Sequence, residues 1–235
     1  MKLAVDLHIH SALSACADKH MTPNNIVNMA VLKGLDIIAV TDHNSAENLE
    51  AVHKCAELKG ILSVPGMEIE TREEVHLICL FPRLEAAFEI QRMVYGALPD
   101  MKNRQDIFGQ QLVMDQYDNI RWCEERLLLT AANIGIEDIA DAVRTVGGAL
   151  IPAHIDRQSY SILSNLGSVP PELKVKYLEV SKKSGLEHLS ERRPELKGYR
   201  FIKSSDAHAL GEILERESFL ELEHRTAECL IRLLQ

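Results

Sequence analysis

His8 and His10 stand two residues apart at the end of an apolar run over 3–9, a pair of imidazoles suited to a transition metal such as zinc, manganese or iron. Side chains alternate along a strand, so residues i and i+2 point to one side and converge near its C-terminal end. Taken alone, the pair fits equally well two histidines held by hydrogen bonds. Further metal-competent groups recur at strand ends. His43 follows the run 35–40, Glu68 follows 61–64, His76 lies near the start of 75–81, His154 follows 149–153, and Asp206 and His208 follow 199–203. Six of the ten histidines belong to this set, whereas His20, His53, His188 and His224 fall in loops or on helices and read as surface residues. Histidines scattered at random would not return repeatedly to strand termini. Such a set supports hydrolysis by metal-activated water: bound divalent ions lower the pKa of water to about 7 and stabilise charge developing on a phosphoryl oxygen. A carboxylate bridges two cations where an imidazole cannot, which makes Glu68 the natural bridge. Arg157, three residues after His154, is either a bidentate phosphate clamp or an exposed loop arginine. Asp6 and Asp42 are either acceptors that orient neighbouring imidazoles or strand-end carboxylates held by backbone amides.

Bringing these groups together requires strands that alternate with helices. Thr22 and Pro23 make a helix start and Gly34 its end; Ser45 can cap a second helix that stops near Gly60. The alternation predicts parallel strands with right-handed crossovers and a common face on which strand-end residues gather. Over about 84–132 the pattern changes to an amphipathic helix followed by two short strands around a turn at Asp118-Asn119, read as an insertion or cap beside the site. Later segments predict a helix over 136–146, a helix capped by Ser184 through Arg193, and a C-terminal helix over 227–234 packed on the outside of the barrel.

With 235 residues, 46% of them apolar and 26% charged, the chain suits one globular catalytic domain over 1–235. No apolar run reaches the roughly 18 residues of a membrane span, and the start MKLAVDLHIH has no signal-peptide pattern, so no membrane partner and a cytoplasmic location are expected. The five cysteines are scattered without a C-x-x-C pair and read as reduced thiols. A formal charge of −9 argues against a surface that holds long nucleic acid by neutralising phosphates. Small phosphate esters stay compatible with it, because divalent ions in a pocket invert the local field.

The motifs D-x-H-x-H-S at 6–11, T-D-H-N at 41–44, G-M-E at 66–68, His76, P-A-H at 152–154 and S-D-A-H at 205–208 resemble those of the PHP (polymerase and histidinol phosphatase) superfamily of metal-dependent phosphoesterases, over nearly the whole chain. The resemblance implies a distorted TIM-like (β/α)7 barrel with two or three divalent ions, zinc, manganese or iron. It implies that His8, His10, Glu68 and Asp206 hold one ion, that Glu68 bridges to a second held by His76 and His154, and that His43 and His208 hold a third with a ligand from the loop after His10. Where the family usually places that last ligand, this chain has Ala15 and Cys16, so Asp18 is the expected substitute, with Cys16 and His20 behind it. Glu68, Asp206, His208 and Arg157 are the expected catalytic groups. The expected substrate is a small phosphorylated molecule such as a nucleotide, or a very short oligonucleotide. A catalytically silent metal-binding regulatory module is the alternative. Amidohydrolase-like chemistry would call for a metal-bridging lysine, which no strand end supplies convincingly.

Overall fold

A computed structural model describes residues 1–181 and 193–235. The helix expected to start at Ser184, and His188, lie outside the described residues. Chain order begins β1 (Lys2–Ile9), α1 (Pro23–Leu32), β2 (Ile37–Val40), α2 (Leu49–Lys59), β3 (Leu62–Ser63), β4 (Gly66–Glu70), β5 (His76–Leu80) and α3 (Leu84–Ala97). It continues with α4 (Gln105–Phe108), β6 (Leu112–Met114), β7 (Ile120–Cys123), α5 (Ile136–Thr145), β8 (Ala149–Pro152), α6 (Ile162–Asn165), β9 (Tyr177–Val180), β10 (Arg200–Lys203), β11 (Phe219–Glu221) and a final helix, α7 (Ala227–Leu234).

Strands β1, β2, β4, β5, β8, β9 and β10 follow one another around a distorted TIM-like barrel. Within it β1 pairs in parallel with β2, β4-β5-β8 form a second ladder, and β9 pairs in parallel with β10. Short links after the strands stitch the pieces together: a parallel bridge His43–Glu68, the Ile155 N–H donating to Glu179 O at 3.0 Å, and a parallel bridge Ile9–Ala207. These seams lie at the end of the barrel that carries the histidines.

Within the barrel one strand departs from the expected all-parallel order, and at its edge β11 also pairs antiparallel, with β1. The barrel strand is β5, which runs antiparallel to both β4 and β8. The connection from Glu70 to His76 is too short for a crossover, which needs about a dozen residues, so the chain turns back as a hairpin. Reversal puts the beginning of β5, and with it His76, opposite Glu70 at the same barrel end as the finish of β4.

Alternate strand residues fill two layers. Val5, Leu7, Ile37, Ala39, Ile78, Leu80, Ile151 and Ile202 form the inner cluster. Ile38, Met67, Ile69, Leu77 and Leu178 face outward against Ile26 and Val27 of α1, Val52 of α2, Ala86 and Ile90 of α3, and Ile139 and Val143 of α5. The C-terminal helix was expected outside the barrel, yet Leu230, Ile231 and Leu234 of α7 join the inner cluster and close the end where β8 begins. Thr22 caps α1 by accepting the Asn25 N–H, with Pro23 at the first position, and Gly34 takes the left-handed φ of +68° just past the end. Asn48, not Ser45, is the cap residue of α2; the Ser45 hydroxyl bonds instead with Tyr95 Oη at 2.7 Å.

The segment expected as an insertion divides in two. Helix α3 is part of the outer helical layer, while the β6-β7 hairpin leans on the loop after β1: Leu112 N–H donates to Ala12 O at 2.8 Å, and Leu13 packs with Val113 and Leu128. At the hairpin turn Asp118 accepts hydrogen bonds from Thr22 and Asn24 at the start of α1. Among the described residues no helix is long and apolar enough to cross a membrane.

Candidate metal centre

The inner cluster includes Val5 and Leu7, so strict alternation from them would turn His8 and His10 outward. A register shift between Asp6 and Ile9 against β2 re-aims the strand, so that Ile9 joins the outer layer and both histidines face inward. Bulges of this kind serve to redirect side chains near functional sites. His8 Nε2 then lies 3.1 Å from His10 Nε2, 3.3 Å from Glu68 Oε1 and 3.2 Å from Asp206 Oδ1. His10 Nε2 lies 3.3 Å from Glu68 Oε2 and 3.0 Å from Asp206 Oδ1. Ligands of a tetrahedral zinc, each about 2.0–2.1 Å from the ion, stand roughly 3.3 Å from one another. The donor set fits a cation.

Glu68 is 1% exposed and faces imidazoles on both sides. Its Oε1 lies 2.8 Å from His76 Nδ1 and 3.3 Å from His154 Nε2, and its Oε2 lies 2.9 Å from His43 Nδ1. Three buried atoms here, Glu68 Oε2, His76 Nε2 and His154 Nδ1, have no aligned hydrogen-bond partner. Orphaned atoms of this kind are costly in a protein interior unless something else satisfies them. Among the described residues, three combinations bring donor atoms within 4.8 Å of one another: His8-His10-Glu68, His43-Glu68-His76 and His10-His43-His208. In the third, His10 stands where a loop ligand was expected. Asp18 is exposed, and its carboxylate accepts the His20 N–H at 2.7 Å instead of reaching the cluster. His20 is exposed as well, and Cys16 sits on the rim, where crowding and the nearby carboxylates of Glu68 and Asp206 push its thiol up to about 12.

Outer contacts orient the cluster. Glu179, absent from the sequence reading, accepts from His8 Nδ1 at 3.0 and 3.1 Å and from the His154 N–H at 3.0 Å. Ser14 Oγ meets His10 Nδ1 at 3.0 Å and donates to Asp42 at 2.7 Å; Asp42 also accepts from the N–H and hydroxyl of Ser11. With Nδ1 of His8 and of His10 engaged, Nε2 of these two rings is the atom presented inward. Asp42 therefore reaches His10 through a serine, and the Asp6 carboxylate accepts the N–H groups of Ser205 and Leu214, with no imidazole among its hydrogen-bond partners in the described residues. Two residues of the expected ligand set, His154 (φ +29°) and Asp206 (φ +50°), hold left-handed backbone conformations that cost free energy and persist only where surroundings enforce them.

Charge is divided unevenly among the rings. Burial works against protonation throughout, yet Glu179, Asp206 and Glu68 hold His8 well above the ordinary histidine range, and Glu68 lifts His76 to about 9. Burial pushes His43 down to about 3 and, with the His10 charge, lowers His208. Against the same burial, His76, His8 and His43 keep Glu68 ionised far below its usual range, and His8 and His10 do so for Asp206. Protons thus balance the carboxylates at positions that suit cations.

Asp206 joins this cluster to an open cavity of about 630 Å³ lined by Arg157, Ser181, Ser205, His208 and Glu212. Its Oδ2 is 2.6 Å from Nη2 of Arg157, whose side chain is 44% exposed. A guanidinium therefore borders the cluster on the cavity side.

A family model for the PHP domain matches residues 6–151. An uncharacterised protein of Methanocaldococcus jannaschii is 31% identical over 150 residues, 64% of this chain and 16% of that protein. A 5'-3' exoribonuclease of Haemophilus influenzae is 28% identical over 95 residues, 37% of this chain and 34% of the enzyme. Among solved structures, a lesion-specific endonuclease of Pyrococcus furiosus superposes with a TM-score of 0.73 at 21% identity, over 100% of this chain and 56% of its own. Endonuclease Q bound to a 27-mer duplex with an abasic lesion at the active site gives 0.69 at 20% identity, over 99% of this chain and 56% of its own. The chain thus spans about half the length of the endonuclease and a smaller share of the sequence relatives. The likeness corrects the expectation of no long nucleic-acid partner, because endonuclease Q, alike in fold over nearly all of this chain, takes a duplex. Net charge sums a whole surface, whereas a duplex meets one face, whose field bound cations can reverse.

Proposed function

The chain belongs to the PHP domain family, and from that premise we propose that it is a metal-dependent phosphoester hydrolase acting on a phosphate of a nucleic-acid strand. The observation that carries the reading is the convergence of His8, His10, Glu68 and Asp206 at ligand spacing, beside buried atoms of Glu68, His76 and His154 without hydrogen-bond partners. The nucleic-acid substrate is supported by the kinship in fold with the endonuclease and in sequence with the exoribonuclease.

Divalent ions held there supply Lewis-acid stabilisation of phosphoryl charge and a water nucleophile at neutral pH. His8, His10, Glu68 and Asp206 would hold one ion; Glu68 would also serve a second with His76 and His43 or His154, and His43 and His208 would serve a third. Glu68 suits the shared role because its two oxygens already face different imidazoles. Arg157 binds the phosphate: its exposed guanidinium keeps a planar fork toward the cavity while Asp206 fixes one edge. Ser14 and Glu179 hold two of the rings so that the ligand atoms need no rearrangement.

Stripped protein, protein reloaded with zinc, manganese or iron, and Glu68→Ala are to be assayed on single strands, on a duplex with an abasic site and on small phosphomonoesters. Turnover of oligonucleotides by the loaded protein alone, with Glu68→Ala deficient in metal and nearly inactive, is expected. Hydrolysis that survives complete stripping, or an active Glu68→Ala with normal metal content, overturns the mechanism. A folded, loaded protein inert toward every oligonucleotide overturns the substrate assignment and favours a silent metal-binding module.

A further inference from the structure

Tyr160 meets the cluster through its ring and its backbone carbonyl, and the fold holds it there at a cost. Its φ is +56°, in the left-handed region that a bulky side chain rarely adopts. The conformation is pinned on both sides: Tyr160 O accepts the His76 N–H at 3.0 Å, and the next residue, Ser161, donates its hydroxyl to Ile155 O and caps α6. So held, the ring stacks on that of His76 with centroids 4.8 Å apart and planes 29° from parallel. The residue nevertheless stays 46% exposed, beside a histidine that is 8% exposed. A ring recruited only to fill space would be covered.

The same short loop carries Arg157. Its guanidinium engages Asp206 on the cavity side of the cluster, while Tyr160 lies over His76 on another flank. One loop thus presents, around a site for a phosphate, a cation that recognises phosphate oxygens and an aromatic face. A nucleotide offers those two chemistries together, a charged phosphate and a flat π-system joined by a sugar, and base-on-aromatic stacking tolerates any base because each has a π-face. We propose that Tyr160 is a stacking platform for the nucleobase next to the reacting phosphate, a subsite for single-stranded or extruded nucleotides. The proposal rests on the nucleic-acid reading of the site and adds the part of the substrate that reading leaves undefined.

Binding, not turnover, tests it. Short phosphorothioate single strands are titrated into metal-loaded protein, first with every base present and then with one abasic tetrahydrofuran residue scanned along the strand. At one position, removal of the base is expected to weaken wild-type binding roughly ten-fold, within the range of single-base stacking. Tyr160→Leu should bind the intact strand only as well as wild type binds the abasic one, with unchanged metal content, and Tyr160→Phe should restore the difference. A Tyr160→Leu protein that keeps the base-dependent difference overturns the platform. So does one that loses metal or weakens on both strands alike, since the ring then serves only to support His76. Wild-type protein that binds no strand at all refutes the nucleic-acid reading itself, whereas wild-type binding without base dependence refutes the platform alone.

Discussion

Glu179 decides how two of the cluster's residues sit, though it lies 2% exposed within an otherwise apolar strand. It accepts from the His8 ring and from the His154 backbone, so its removal leaves two donors unpaired, each at a cost of about 1–3 kcal/mol. Partners of this type typically change metal affinity by about 10–100-fold when lost. Glu179→Ala is therefore expected to bind zinc at least about ten-fold more weakly and to unfold at lower temperature, with Glu179→Gln intermediate, as read by metal titration and thermal melts. A destabilised Glu179→Ala with wild-type zinc affinity would make the contact purely structural. His8, His10, Glu68 and Asp206 were legible in the sequence because two-residue alternation and strand ends mark them. Glu179 was not, because its partner His8 is 171 residues away and a lone acid in an apolar strand names no partner. Asp18 is the opposite case: proximity in sequence suggested a ligand, while the loop turns its carboxylate back onto the His20 N–H.

Between elements, the contact that matters most to the site is made by the β6-β7 hairpin against the loop after β1. Gly109 has φ +98°, and a Cβ there would stand 2.6 Å from the carbonyl oxygen of Ala15, so both conformation and space demand glycine. Asn48 completes the join, its buried amide donating to Ser11 Oγ and Leu112 O and accepting the Met114 N–H. Gly109→Ala is expected to destabilise the fold by about 1–3 kcal/mol from backbone strain alone. It should also lower activity without direct contact with a ligand, because the displaced loop carries Ser14 and with it the orientation of His10. Denaturant unfolding and metal titration separate the two effects; an unperturbed melt would remove the Ala15 contact from consideration. The hairpin and its turn were visible in the sequence from strand patterning around Asp118-Asn119. Its docking was not, because the glycine and asparagine that fix it look like ordinary loop and helix residues. The reversal of β5 was also encoded, in a connection too short to cross over, but strand-helix alternation on either side obscured it.

For the molecule as a whole, charge is placed at one barrel end and apolar closure at the other, where α7 fills the interior. The net charge of −9 was legible, but it says nothing about which face a strand of nucleic acid would meet. What the charge placement does determine is how folding responds to pH. In metal-free protein His76 is raised from 6.5 to about 9 by Glu68, so the stability it contributes is full below pH 6.5 and is lost as pH rises through about 9. Glu68 is depressed, so its contribution is present above its ordinary 4.5 and is lost as pH falls further. The stripped protein should accordingly be most stable between these limits and melt at falling temperature from pH 6.5 toward 9. Metal ions require the same imidazoles neutral, so their affinity rises over that interval as the competing protons leave. At a free metal concentration about 100 times Kd, loading adds about 2.7 kcal/mol, and more as Kd falls. The gap in melting temperature between loaded and stripped protein should therefore widen from pH 6.5 to 9 at fixed free metal, with protons released on binding at the lower end. A constant gap with no proton release would mean that the rings do not exchange protons for metal, and would detach the cluster's electrostatics from its proposed role.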